Sequence, residues 1–207
     1  MIKQTSALCA LFGACASFGA GFQVLEQGAS NLGTALAGST VNANSDASSA
    51  FWNPSASFSM DLRAGDTVID SGMNFVIPSF SFSGKSYAMG QEVSGSNGGN
   101  AGEMSYVPNF YLVHQFAERL AGTLSITSPY GLETDYDGDW VGRYQALNSD
   151  LITVDINPSV AYKVNDWLSI GGGVSLQYMH AELSQATPIA PGRDATVSLR
   201  GQSWGVG

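Results

Sequence analysis

The chain has 207 residues, 44% of them hydrophobic and 12% charged, with 25 glycines and a net charge of −9. Soluble domains carry about 25% charge, and no apolar run is long enough for a membrane-spanning helix. The acidic balance, 17 Asp and Glu against 8 Lys and Arg, argues against nucleic acid as a partner, because phosphate binding needs a basic stripe. Low charge with many glycines and aromatics suits a membrane β-barrel, apolar outside and polar inside.

Residues 1–20 read as a secretory signal. Lys3 is their one charge, Ala7 to Ala20 is small and apolar, and cleavage after Ala16 or Ala20 fits the small-residue rule. A lipoprotein signal acylated at Cys15 is the competing reading. Cys9 and Cys15 are the only cysteines, so a processed chain holds no disulfide, thiol nucleophile or cysteine metal site.

Residues 21–57 are mostly Gly, Ala, Ser, Thr and Asn. Nothing here alternates as a strand does. Gly28, Gly33 and Gly38 interrupt any helix, at about 1 kcal/mol each against alanine. Phe22, Val24, Leu25, Leu32, Leu36 and Val41 make the stretch too apolar for a solvent loop. It reads as a compact plug, packed inside something else. Glu26 and Asp46 are expected to hold it to a wall by hydrogen bonds, and Asn53 with Pro54 to set the turn out of it.

Long strands follow, over 58–207. Segment one spans 61–83 and ends in strict alternation, Phe80 and Phe82 against Ser79, Ser81 and Ser83. A Gly/Ser/Asn-rich loop covers 84–102. Segment two, 104–116, sets Tyr106, Phe110, Leu112, His114 and Phe116 on one face, with Pro108 near a strand end or bulge. After a short turn at Ala117 and Glu118, segment three covers 119–134. Pro129 and Gly131 mark a bulge, kink or early end within it. A second polar loop is expected at 135–149. Segment four, 150–164, carries Asp155 and Asn157 on its polar face. Asn165 and Asp166 form a hairpin turn into segment five, 167–183. A third loop is expected at 184–199, and 203–207 starts a sixth strand.

These strands are far longer than the usual 5–6 residues, and short turns alternate with long polar loops. Outer-membrane barrels have that asymmetry; a soluble β-sandwich or lipocalin-like barrel would have shorter strands and more equal loops. The fold class is therefore all-β, a transmembrane antiparallel barrel around an N-terminal plug. The pattern stops within a strand at Trp204 to Gly207, so the chain reads as the N-terminal part of a longer barrel.

The motifs in order resemble the FadL/TodX family of outer-membrane transporters for long-chain fatty acids and other hydrophobic compounds. They are Gly21-Phe22-Gln23 with Glu26, Leu32-Gly33-Thr34-Ala35, Asp46-Ala47, Asn53-Pro54-Ser55, Val107-Pro108-Asn109, Ser128-Pro129-Tyr130-Gly131-Leu132, Trp140-Val141-Gly142-Arg143-Tyr144 and Asn157-Pro158-Ser159. Ser55 stands where the family's plug motif has Ala. The resemblance implies a fourteen-stranded barrel in the outer membrane of a Gram-negative bacterium, with 21–57 as its hatch. It also implies passive uptake of hydrophobic molecules, with lateral exit where the third strand kinks. The gate residues would be Pro129, Tyr130 and Gly131; Gly21, Phe22, Glu26, Asp46, Asn53 and Pro54 would belong to the hatch. The family's internal pocket can carry a basic residue just after the fifth strand, but the matching place, Ser184 and Gln185, has no charge. That leaves room for a neutral or aromatic substrate.

The run Glu133 to Asp139 is dense in carboxylates but does not fit a calcium loop of the EF-hand type. It reads as a solvated loop. No nucleophile signature accompanies any serine, so His114 and His180 do not suggest a hydrolase. Trp52, Trp140, Trp167 and Tyr178 suit a membrane-interface girdle. The expectation is a transporter with no enzyme activity, no metal and no cofactor. Its partners are hydrophobic small molecules, outer-membrane lipid and lipopolysaccharide, and it works as a monomer. A surface barrel serving as adhesin or receptor is the alternative, and a polar-solute porin a third.

Overall fold

The computed structural model describes residues 22–41, 46–190 and 192–207. The expected signal at 1–20, and Gly21 at the head of the hatch, lie outside them. The plug begins with helix α1 (Ala29–Gly33), followed by a 3-10 turn (Ser39–Val41), helix α2 (Ser49–Trp52) and a 3-10 helix (Pro54–Met60). Both α-helices are very short, as the glycine-broken sequence requires. Asn53 caps the last helix: its side chain accepts from the Ser55 N–H at 3.1 Å, and Pro54 starts the turn.

The wall consists of β1 (Thr67–Val76), β4 (Ser105–Ala117), β5 (Leu120–Thr127), β6 (Gly131–Asp135), β7 (Asn148–Asn165), β8 (Leu168–Gly173), β9 (Leu176–Ala190) and β10 (Arg193–Val206). A two-residue hairpin, β2 (Tyr87–Ala88) with β3 (Gln91–Glu92), sits in the first long loop. The sheet is antiparallel in the order β1-β4-β5-β7-β9-β10, with β6 and β8 also on β7. β5 with β6, and β8 with β9, are thus interrupted wall strands. Among the described residues β1 and β10 are open edges.

The faces follow the expected alternation. On β4, Val107, Asn109, Tyr111, Val113 and Gln115 are buried against the plug, while Tyr106, Pro108 and Phe116 are exposed. On β7 the outward row Ile152, Val154, Ile156, Pro158, Val160 and Tyr162 is apolar. At about 3.3 Å per residue and about 40° of tilt it spans about 25 Å, the height of the apolar band that such barrels present. The inward row opposite, Thr153, Asp155 and Ser159, is buried and polar.

The structure corrects several expected boundaries. Segment one pairs only over Thr67–Val76; the alternating Phe80 and Phe82 are not in a strand. β4 begins at Ser105, opposite Val76, so the ladder stops there; beyond it only an isolated Ser81–Asn100 bridge forms, and Pro78 lacks the N–H a ladder needs. The loop expected at 184–199 is instead a long hairpin. β9 runs to Ala190 and β10 starts at Arg193, pairing Gln185 with Val197 and Thr187 with Ala195. The short turns sit one residue later than expected, between Ala117 and Leu120 and between Asn165 and Leu168. Segment five breaks its ladder at Val174 and Ser175 without losing register. Gly173 is required there, since a Cβ would come within 2.0 Å of Ser159 Oγ.

The plug packs Ala47 and Ala50 against Tyr111 and Val113 of β4, flanked by Phe51, Met60, Leu62 and Val68. Small residues permit this. A Cβ on Gly28 would lie 2.9 Å from Ser48 Oγ, and one on Gly171 of β8 would lie 3.2 Å from Pro54 Cβ. Polar pins complete the fit. Tyr111 OH donates to the Gln27 carbonyl, and Asn74 Nδ2 donates to that of Glu26. Tyr111 is fully buried, so Tyr111→Phe leaves that carbonyl without its donor at a cost of about 1–3 kcal/mol. The expected result is a lower melting temperature of the folded barrel and faster proteolysis within the plug.

Candidate functional site

Between β5 and β6 the wall strand departs from its neighbour β4. The β4–β5 ladder ends at the Phe110–Ile126 pair, and β6 forms a ladder only with β7; on its other edge it is tied just ahead of β4 by a Gly102–Thr134 bridge and by the Asp135 N–H donating to the Ala101 carbonyl at 3.0 Å. Residues 105–109 of β4 therefore pair only with β1, and Pro108 lies in that one-sided stretch. On the other edge, residues 128–130 face only 153–154 of β7. This is a bulge of one extra residue. Because side chains alternate, one extra residue reverses the faces beyond it. Gly131 and Glu133 fall in the row of outward Ile152, and Leu132 in the inward row.

A break in a membrane wall is tolerated only if its backbone groups find partners within the protein. Here they do. The Val24 N–H donates to the Pro129 carbonyl and the Gly131 N–H to the Phe22 carbonyl, both at 2.9 Å. Gln23 bridges Tyr130, so residues 22–24 act as a short strand laid on the kink. Gln27 Nε2 donates to the Ser128 carbonyl at 3.1 Å. Thr153 Oγ1 accepts from the Tyr130 N–H at 2.9 Å and donates to the Tyr130 carbonyl at 2.6 Å. The Ser128 hydroxyl donates to the Thr153 carbonyl.

The gap opens into a cavity of about 400 Å³, within the range of about 300–1,000 Å³ usual for small-molecule sites. Val24 of the plug forms one side, Val76, Pro78 and Phe80 another, and Tyr106 with Val107 the β4 rim. Tyr130, Gly131, Leu132 and Ile152 form the opposite rim. Ser105 Oγ donates across the gap to Glu133 Oε2 at 2.8 Å. A second cavity, about 310 Å³, lies between Gln145, Ala146, Ser149 and residues 183–185, with Val197 and Leu199.

The long-loop end is capped by the first two long loops. Trp140 is buried, stacked on Tyr136 with ring centroids 4.0 Å apart and edge-on to Phe82. It is a cap residue, not part of a girdle. Arg143 pins the cap: Nε donates to Asp194 Oδ2 at 2.8 Å, and Nη1 to the Ser94 carbonyl at 2.9 Å. Its hydrogen bond, aided by that of Tyr144 OH, holds the Asp194 carboxyl below its ordinary 3.8.

Of the expected site residues, Pro129, Tyr130 and Gly131 come together with Phe22 at the kink. Gly131 is not there for space: a Cβ would meet only Val24 Cγ2 at 3.5 Å and Leu151 O at 3.7 Å. Glu26 reaches the wall through its carbonyl. The Asp46 carboxylate accepts from the Ser48 N–H and hydroxyl, inside the plug. Asn53 and Pro54 lie at the plug-to-wall turn. The sequence reading missed Gln27 and Thr153. Neither has a local signature, since their partners lie 101 and 23 residues away. His114 takes part in a 2.7 Å bond with Thr67 on the outward face, and His180 lies opposite Ile152. Among the described residues no cluster of His, Cys, Asp or Glu is placed to hold a metal ion.

Residues 10–207 match the family described as outer membrane protein transport protein (OMPP1/FadL/TodX). The chain belongs to this family. It is 31% identical over 172 residues to the long-chain fatty acid transport protein of Escherichia coli K12, covering 82% of this chain and 36% of that one. It is 29% identical over 195 residues to outer membrane protein P1 of Haemophilus influenzae Rd, covering 91% and 42%. It also superposes on the crystal structure of a Pseudomonas aeruginosa FadL homologue with a TM-score of 0.65 at 25% identity, over 90% of this chain and 48% of that one. The chain thus spans less than half the length of these relatives. Family membership makes it an outer-membrane β-barrel protein of Gram-negative type.

Two outcomes follow from the geometry. Thr153→Val keeps the shape but strips both partners from Tyr130, so a loss of about 1–3 kcal/mol is expected, measured by heat-induced unfolding of the folded barrel. For the cap, a carboxyl whose folded value is depressed stabilises above its ordinary value and loses that contribution as pH falls through the folded one. The Arg143–Asp194 clasp should therefore hold from neutral pH down to 3.8 and release only below it. Spin labels on the loop that carries Arg143 and on the β9–β10 hairpin would separate at such acid pH, and at neutral pH in Asp194→Asn; unchanged distances in Asp194→Asn would count against the clasp.

Proposed function

We propose that this protein carries hydrophobic small molecules across the outer membrane, and that they leave sideways through the gap between β4 and β6. The observation that supports this most directly is a wall strand that leaves its neighbour, with the carbonyls of Ser128 and Pro129, both polar groups of Tyr130 and the Gly131 N–H each re-partnered by residues 22–27 or Thr153. A fault in a closed barrel would leave such groups bare; this one is built. The cavity behind it is mainly apolar and reaches the outward face through Gly131 and Ile152.

The plug occupies the straight route. An apolar ligand gains free energy by moving from water into hydrocarbon and none by returning to water. A sideways path into the bilayer is therefore downhill and needs no energy source, cofactor or chemical step. Pro129, Tyr130 and Gly131 act as the gate, with Phe22 and Glu26 on the hatch side and Asp46, Asn53 and Pro54 fixing the hatch itself. Such a route works within one barrel, so a monomer suffices. Its surroundings are outer-membrane lipid and, at the long-loop end, lipopolysaccharide. Fatty acids are among the candidate cargoes, a reading supported by relatives named as long-chain fatty acid transport proteins.

Deleting Pro129 tests the route, because it leaves two residues facing two and lets β5 run straight into β6. In the full-length protein, uptake of hydrophobic compounds is expected to fall to background while the barrel still folds. Uptake unchanged in the folded deletion variant would rule out lateral exit at this place.

A further inference from the structure

The cavity in the wall carries one sign of charge. Glu133 and Asp150 line it, and no Lys, Arg or His does. The one-residue bulge is what brings Glu133 there, by moving it into the outward row beside Asp150. Glu133 is fixed by the Ser105 hydroxyl. Asp150 Oδ1 is shielded from solvent and has no hydrogen-bond partner among the described residues, so the pair brings acceptors and no donor to the cavity. Glu182 of β9 stands next in the row, already paired with Arg200 at 2.7 Å.

Arg200 is held by Glu182, and His180 stands opposite Ile152 outside the cavity lining. Lys85, Arg143 and Lys163 are paired with Glu92, Asp194 and Asp166. Arg63 and Arg119 lie at the short-turn end and Arg193 at the tip of the β9–β10 hairpin. The second cavity, where Ser184 and Gln185 sit, has no charged residue at all. A ligand carboxylate entering the gap must shed water beside two carboxylates with no cation to offset the loss. A hydroxyl, by contrast, donates.

We infer that the gap selects uncharged hydrophobic compounds, best those with a hydroxyl donor, and turns away fatty-acid anions, with Glu133 and Asp150 setting the preference. The inference rests on the gap being the exit route. It names a cargo class different from the one carried in the relatives' names.

Hexadecan-1-ol and palmitate share a chain length and differ in head charge. Their initial uptake is compared near neutral pH in cells that carry the full-length protein and in cells that lack any transporter of this family. The alcohol is expected to enter about tenfold faster than the anion once background is subtracted, and the palmitate-to-alcohol ratio to rise about tenfold in the Glu133→Gln/Asp150→Asn double variant. Glu133→Lys alone should raise that ratio as well, with folding of each variant checked by its heat-modifiable band. Palmitate entering as fast as the alcohol through the unaltered protein would overturn the preference while leaving transport intact. So would an unchanged ratio in folded variants. If neither compound enters through the protein, transport itself falls, and this inference with it.

Discussion

A β-strand wall in hydrocarbon has to satisfy every backbone N–H and C=O without water. That constraint shapes this half-sheet most at Ser128, Pro129 and Tyr130, where the wall strand leaves β4. Pro129 removes one donor from the accounting. Thr153, with one hydroxyl that both donates and accepts, serves both polar groups of Tyr130. The plug's first described residues supply the rest. The bent strand and the plug therefore specify one another: neither arrangement satisfies its backbone without the other.

A single inserted residue has a second effect. Period-two alternation means that three residues facing two reverse the faces of everything beyond. Without the bulge, Glu133 would be in the inward row and Leu132 outward. With it, a carboxylate is set at the mouth of an apolar cavity, opposite Asp150. The kink thus changes the chemistry of the opening as well as its shape, and one backbone feature accounts for both.

Much of this was legible in the chain, and the limits have physical causes. Alternation placed the faces of β4, β5 and β7 because the bilayer outside and the plug inside impose different demands on each row. Pro129 announced the break because proline cannot donate to a ladder and a glycine follows two residues on. Phe80 and Phe82 misled because alternation alone does not make a strand; a partner must exist, and β4 does not extend that far. Residues 184–199 misled in the opposite sense. Beyond the apolar band of about 25 Å, strands pair in water, and nothing requires their side chains to alternate. Ser184 opposite Ser198, and Gln185 opposite Val197, make a sound ladder that reads as a polar loop. Thr153 and Gln27 were invisible because their roles depend on partners that only the fold brings near.

Gln27 shows how the plug and the opening are joined. Its side-chain amide donates to the Ser128 carbonyl on one rim and to the Val24 carbonyl within the plug. Its own carbonyl accepts from Tyr111 of β4, just inside the β4–β5 ladder. The residue is fully buried, so these bonds are sheltered from competing water. One residue of the plug therefore joins β4 to the kinked strand at the closed end of the gap. The opening lies between that tie and the Ser105–Glu133 bond with the Gly102–Thr134 bridge, since β4 and β6 make no ladder with each other. The stretch of small residues that follows has a mechanical purpose in this light. Close packing of Ala47 and Ala50 on Tyr111 and Val113 seats the plug firmly enough for Gln27 to act as a strut.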